Sequence, residues 1–552
     1  MSFCIWLILL GIGWFYLIPR AALAQDKKNA EVVQRTQTGP NDPTGTRTGD
    51  ASTVLENFTP PDPKDPDYPR KLREYEEYRL RADRDPVIVR LANILGHHRV
   101  AINIVWTLIA GFLVMFMQAG FALVETGLTR AKNVAHTMAM NFMIYPLGML
   151  GFYICGFAFM FGGTGSIGQL GGTSVMDRML KIGGPDGWGI LGTKGFFLSG
   201  TSYDVAVYAL FFFQMVFMDT TATIPTGACA ERWKFSAFML YGLAVGTILY
   251  PIYGNWVWGG GWCSQLGAKW GLGHGTVDFA GSSVVHLQGG IIAAVFATML
   301  GPRVGKYNRD GTVNPIPAHN IPMVVLGTFI LAFGWFGFNA GSSLAGTDLR
   351  IAVCVVNTML SSATGAVAAS LWVWRKWGKP EPTMMCNGML AGLVAITAPC
   401  AFVTSIGACI IGLVAGILVV ESVVFVERRL RIDDPVGAVS VHGVNGLWGA
   451  LAVGLFADGT YGDGLNSVSG FGVRGLFYHG GAGQLIAQAI GVFSCLIYVS
   501  IASLLVYKGI GTLVGHRVGK EIEYDGLDLG EMGVAGYSGV IMDKASESPL
   551  AR

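Results

Sequence analysis

The chain has 552 residues, of which 13% are charged and 52% hydrophobic, with a mean hydropathy of +0.48. Soluble domains carry about a quarter charged residues, so this composition excludes a string of soluble domains and points to one large membrane bundle. A formal net charge of +2, with no polybasic tail and no basic patch interleaved with aromatics, excludes nucleic acid as a partner.

In chain order, residues 3–18 form an apolar run followed by Ala22-Leu23-Ala24, so residues 1–24 read as a signal peptide cleaved after Ala24. Residues 25–99 read as a polar extracytoplasmic extension rich in Pro, Asp and Arg. Its first part, 25–66, has too little apolar surface to offset ordering entropy, and 69–84 suits a short charged helix. From 100 to 508 the chain reads as a membrane domain, and 509–552 as a cytoplasmic tail.

Within that domain, apolar segments near the length that crosses a hydrocarbon core follow one another at 101–123, 135–161, 204–226, 235–257, 278–300, 321–342, 351–374, 385–402, 405–426, 437–457 and 484–507. The fold class expected is an all-α polytopic membrane protein of eleven transmembrane helices, two inverted five-helix halves plus a final helix. Arg130, Lys132, Arg232, Arg303, Arg375 and Arg428 crowd one set of alternate loops, which should face the cytoplasm. That puts the mature N-terminus outside and the C-terminus inside, matching a cleaved signal peptide. The 78 glycines suit close helix packing in a bilayer. The nine cysteines stand singly without metal-ligand spacing, and read as packing residues.

Two imidazoles carry the chemistry. His286 lies in VVHLQGG (284–290) of the fifth span and His442 in SVHGVNG (440–446) of the tenth, an echo expected of an inverted repeat. Ionisable groups inside a span are costly and mark function. Asp278 opens the fifth span eight residues before His286, about 12 Å along a helix axis, which sets His286 near mid-bilayer. Two neutral imidazoles satisfy each other through one N–H···N bond and leave outward nitrogens for a small polar substrate or a proton. The simpler reading is a pair that only packs. Trp335, Phe338 and Ser342 share one helix face, Phe213 and Phe217 lie four apart, and Trp258 ends WVWGGGW. Aromatic faces attract cations, although each ring taken alone also suits a packing seam or an interfacial belt.

The strings DFAGSSVVH (278–286), GWFGFNAGS (334–342), AER (230–232) and DDPVGAVSVHGVNG (433–446) resemble those of the ammonium transporter family. RAKN (130–133), AHNIP (318–322) and GLD (526–528) add to a resemblance covering roughly 100–540. It implies a homotrimer in the cell (inner) membrane with one pore per protomer, no cofactor, no metal and no enzymatic activity. Trp258, Phe217 and Ser342 would line an outer ammonium site, with Asp278 holding backbone beneath it. Phe217 and Phe338 would form a gate, and His286 and His442 a narrow path. Gly526, Leu527, Asp528 and Glu531 in the tail would couple to a cytoplasmic P-II signal protein. Gly437 stands where many members carry a carboxylate, Gly156 where some carry a serine, and Trp258 and Asp278 lie farther apart than in bacterial members. The alternative is an ammonium sensor that signals through the tail. A haem-binding redox protein using the two histidines is a more distant one, since no attachment motif accompanies them.

Overall fold

The computed structural model describes residues 61, 63, 68–172 and 175–537. The expected signal peptide, most of the N-terminal extension and the end of the tail lie outside the described residues. The expected charged segment is helix α1 (Tyr68–Arg84), braced on its surface by Arg70 and Glu74 at 2.9 Å.

Ten helices among the described residues are long and apolar enough to cross a membrane. They are α2 (Pro86–Leu128), α3 (Ala131–Phe161), α4 (Val205–Cys229), α5 (Phe235–Val257), α6 (Ser282–Leu300), α7 (Ile321–Ala340), α8 (Ile351–Trp377), α10 (Ser405–Leu430), α11 (Val439–Phe456) and α12 (Gly483–Val514). Between α8 and α10 lies α9 (Pro382–Ile396), a shorter apolar helix of 15 residues. Glu381 caps it by accepting from the Thr383 and Met384 amides. The expected span ran to 402, but the helix stops at Ile396 and the chain turns through Pro399 instead. That turn meets the start of α6, where Phe279 and Ala280 donate to the carbonyls of Ala398 and Thr397.

The bundle has an inside and an outside. In α4, 83% of the apolar window is buried, against 28% in α12, so α4 is central and α12 peripheral. Phe112, Phe116, Phe329, Phe333 and Leu505 point outward, as apolar residues facing lipid do. Small residues bring the helices together. A Cβ on Gly156 in α3 would lie 2.0 Å from the Gly246 carbonyl of α5, so a serine at 156 cannot fit this packing. Outside the helices, a small antiparallel hairpin, β1 (Met179–Ile182) with β2 (Trp188–Gly192), covers the loop between α3 and α4.

Two helices enter the bundle centre in the same unusual way. Both α6 and α11 begin with a turn widened to π geometry, at Ser282–Leu287 and Val439–Val444, and each such turn contains one of the two histidines. They cross at glycines: a Cβ on Gly290 would lie 2.2 Å from the Gly443 nitrogen, and one on Gly446 would lie 2.6 Å from the Leu287 nitrogen.

Candidate functional site

The helix crossing brings His286 and His442 together, Nδ1 to Nδ1 at 3.1 Å, with ring planes inclined by 26°. In the neutral pair one Nδ1–H donates and the other Nδ1 accepts. The far nitrogen of His286, Nε2, is buried without a protein partner. His286 also lies against Trp335 (5.3 Å between ring centroids, 19°) and Phe338 (5.4 Å, 25°), while His442 lies near Phe121 at 6.1 Å. Trp335 is itself fixed by donating Nε1–H to the Thr397 hydroxyl at 2.9 Å. The second half of this ring stack comes from α7, where Phe336–Ala340 also widens to π geometry. Such widened turns concentrate at functional sites, and α-helical spacing in the sequence does not reveal them.

Above His286 the rings continue. Phe217 stacks on Phe338 at 4.0 Å and 24°, touches Phe213 at 4.7 Å, and meets Trp258 edge-on at 6.0 Å and 70°. Trp258 closes this end, held by its Nε1–H donating to the Asp278 carbonyl at 2.6 Å. The Ser342 hydroxyl donates to the Phe338 carbonyl at 2.7 Å, which leaves its oxygen lone pairs free to accept. Trp258, Phe217, Phe338, His286 and His442 thus form one contiguous column of rings, with the Ser342 hydroxyl on the Phe338 carbonyl beside it.

Asp278 does not open the helix as expected; it lies before it and caps it. Gly281, at φ +119°, turns the chain, and α6 starts at Ser282. The Asp278 carboxylate accepts from the amides of Gly281 (2.7 Å), Ser282 (3.0 Å), Ser283 (2.7 Å) and Val284 (2.9 Å), and from the Ser283 hydroxyl (2.7 Å). These amides are the donors that a helix start leaves without internal partners. Asp434 does the same for α11, accepting from Val436, Gly437 and Val439. The sequence reading missed Asp434, although the signal was present: an aspartate eight residues and a glycine five residues before each histidine. Gly437, at φ +79°, matches Gly281 in this pattern, so its backbone needs glycine where a carboxylate-bearing residue would be strained.

Beneath His442 lies a small cavity of about 20 Å³ lined by Phe121, Val124, Glu125, Asn387, Val436 and His442 among others. Glu125 is 3% exposed. Its Oε2 accepts from Asn141 Nδ2 at 2.7 Å and from the Thr226 hydroxyl. Gln118 extends this polar group by donating to Asn141 and Thr223. The expected first span stopped at residue 123, so Glu125 fell outside it, whereas α2 continues to Leu128.

At the same end lies a buried ionic network. Arg303 reaches Glu231 at 2.9 Å and Asp433 at 2.9 Å, and Arg130 also pairs with Glu231. Burial works against the charge on Glu231, but Arg303 and then Arg130 outweigh it and hold its carboxyl below the usual carboxylate range. At Asp433 burial is likewise overcome, chiefly by Arg303, and its carboxyl falls well below that range. Arg303 gains in turn: burial opposes its charge, yet Glu231 and Asp433 together hold it more firmly protonated than usual.

The tail docks onto this face. Gly526, at φ +114°, passes so close to Lys132 that a Cβ would lie 2.6 Å from its carbonyl. Leu527 is fully buried, with its amide donating to Asn133 at 2.9 Å. Asp528 accepts from the His136 amide and Glu531 from the Phe235 amide, at 3.0 and 2.9 Å.

Fold and site together define a multi-pass helical membrane protein with a column of stacked rings buried at its centre. The chain belongs to the ammonium transporter family: the profile described as Ammonium Transporter Family matches residues 105–537. It is 45% identical over 452 residues to ammonium transporter Amt2 of Archaeoglobus fulgidus, covering 82% of this chain and 91% of that one. Among solved structures it resembles a chain titled Sensor Amt Protein, with a TM-score of 0.68, 36% identity, and coverage of 78% of this chain and 98% of that one. It also resembles Mep2 of Candida albicans, with a TM-score of 0.63, 26% identity, and coverage of 76% and 87%. The family's members are transporters rather than enzymes, and their substrate is ammonium or ammonia.

Proposed function

We propose that the chain recruits ammonium at Trp258, Phe217 and Ser342, removes a proton there, and passes ammonia between Phe217 and Phe338 and along His286 and His442. The observation that carries this reading is the 3.1 Å histidine pair directly beneath the 4.0 Å phenylalanine stack. Ammonium and potassium are alike in size and charge, so attraction to aromatic faces separates them poorly. Ammonium has four N–H donors, however, and a directed donor suits the free lone pairs of Ser342. A bare cation meets a large desolvation cost in an apolar path, so ammonia is the cheaper species to pass. Asp278 acts by holding the start of α6, since both its oxygens are occupied by that helix.

The proton takes the imidazoles. It enters at His286 Nε2, the Nδ1 proton of His286 moves to His442 Nδ1, and His442 releases its Nε2 proton below. The Nδ1 bond is then reversed, and the tautomers must be restored before the next passage.

The same reading has α9 as an eleventh membrane helix, two inverted halves, an N-terminus outside and a C-terminus in the cytoplasm of a cell bounded by this membrane. It includes a cleaved leader, a homotrimer and a P-II signal protein meeting the docked tail. The matched capping patterns of α6 and α11 support the inverted halves, and the arginine-rich face beneath the cavity supports the orientation. A second reading, an ammonium sensor signalling through the tail, is favoured by the likeness to the chain titled Sensor Amt Protein and by the tail's contacts with the helix ends.

The test is ammonium-evoked current in proteoliposomes, compared with potassium under the same gradient. Current with ammonium and none with potassium is expected; equal responses reject the reading. Replacing both histidines with leucine should abolish the current, and unchanged current rules out the relay.

A further inference from the structure

We propose that Glu125 is the inner terminus of the proton path, the carboxylate that takes the proton released by His442 and returns it to ammonia in the cavity below. The inference rests on the transport reading above and adds the site where ammonium re-forms.

A relay through two imidazoles needs an acceptor at its far end. His442 and Glu125 line one cavity, and among the described residues Glu125 is the one carboxylate lining it. Phe121 and Glu125 are one helical turn apart on α2, and Phe121 lies 6.1 Å from the His442 ring, so Glu125 is on the face of α2 turned to the pair. The other nearby carboxylate, Asp434, is committed to the backbone amides of α11. Both side-chain donors to Glu125 converge on Oε2. Thr226 and Asn141 therefore orient the carboxylate through Oε2, while Oε1 lies against the Gly227 backbone, 3.0 Å from where a Cβ there would be. A side chain at 227 would crowd that oxygen.

The step balances. Ammonium at the outer site gives one proton to His286 Nε2 and continues as ammonia. His442 Nε2–H gives one proton to the Glu125 carboxylate across the cavity, where polar groups can hold bridging water. The resulting carboxylic acid gives that proton to ammonia, which leaves as ammonium, and the carboxylate is restored. Each cycle moves one positive charge and uses no other reactant.

The test compares wild type, Glu125→Gln and Glu125→Asp in proteoliposomes by ammonium-evoked current. Gln keeps an oxygen for Asn141 and Thr226 but is a far weaker proton acceptor, and Asp keeps the carboxyl one carbon shorter. Current should fall about tenfold or more in E125Q, a modest share of what a positioned proton acceptor contributes, and stay within about threefold of wild type in E125D. A smaller fall in E125Q overturns the proposal. Infrared difference spectra of wild type on perfusion with ammonium chloride decide the matter even where E125Q fails to fold. A carboxyl C=O band that responds to ammonium and shifts in E125D supports the site; no such band overturns it. Wild type without ammonium-evoked current rejects the transport reading itself, whereas a wild-type current equalled by E125Q rejects only the role of Glu125.

Discussion

Replacing Asp278 by asparagine separates a structural carboxylate from one that binds a cation. In the native chain one oxygen accepts from Gly281 and Ser282, the other from Ser283 and Val284 together with the Ser283 hydroxyl. Asparagine offers one acceptor oxygen and turns its NH2 toward the second pair of amides. Two buried N–H groups lose their partner, at about 1–3 kcal/mol each, for a loss of roughly 2–6 kcal/mol at the start of α6. The Ser283 hydroxyl can rotate to accept from the new NH2, which favours the lower half of that range. His286 lies in the same widened turn, so the loss should also disturb its 3.1 Å contact with His442. Thermal unfolding in detergent and ammonium-evoked current should therefore fall together in Asp278→Asn. Full wild-type stability with abolished current would refute this reasoning, because it would mean that the charge of Asp278 acts on the cation directly.

Three further outcomes are expected. Arg303→Leu leaves Glu231 and Asp433 buried without their main partner and should cost about 3–5 kcal/mol in unfolding experiments. Folding lowers the pKa values of Glu231 and Asp433, so their stabilisation is complete above the ordinary values of 4.5 and 3.8 and fades as pH falls through the folded ones; thermal stability should drop below about pH 4, and less so in the Arg303→Leu variant. Gly290→Ala drives a methyl into the Gly443 backbone, 2.2 Å away, and the crossing must open. That should cost about 1–3 kcal/mol and reduce current by separating the histidines, which unchanged current in a stable variant would contradict.

Hydropathy made most of the membrane helices legible, because a span needs a long apolar run and the loops between runs carry charge. It failed where other forces set the boundary. The first span extends back to Pro86 and on to Leu128, since polar residues at both ends continue helical pairing outside the apolar stretch. At α9 the reading ran too long, because the apolar turn after Ile396 is stabilised by contacts with α6 that no local pattern encodes. The histidines stood out as ionisable groups in apolar runs. Asp434 and Glu125 did not, since one caps a helix from the loop before it and the other lay two residues beyond an assumed end. Widened turns leave no hydropathy signal, so the closeness of Trp335, Phe338 and His286 is a property of the fold that no local pattern encodes.

Asp433 and Asp434 are adjacent, yet they belong to different machines. One is gripped by Arg303, whose neighbour Val304 donates its amide to Glu523 of the tail at 2.7 Å. The other holds the first turn of the helix that carries His442. A single peptide unit therefore couples the anchoring of the chain's last segments to the aim of an imidazole deep in the membrane. Sequence separation is a poor measure of spatial separation here, since three short links join Glu523 to the helix that carries His442.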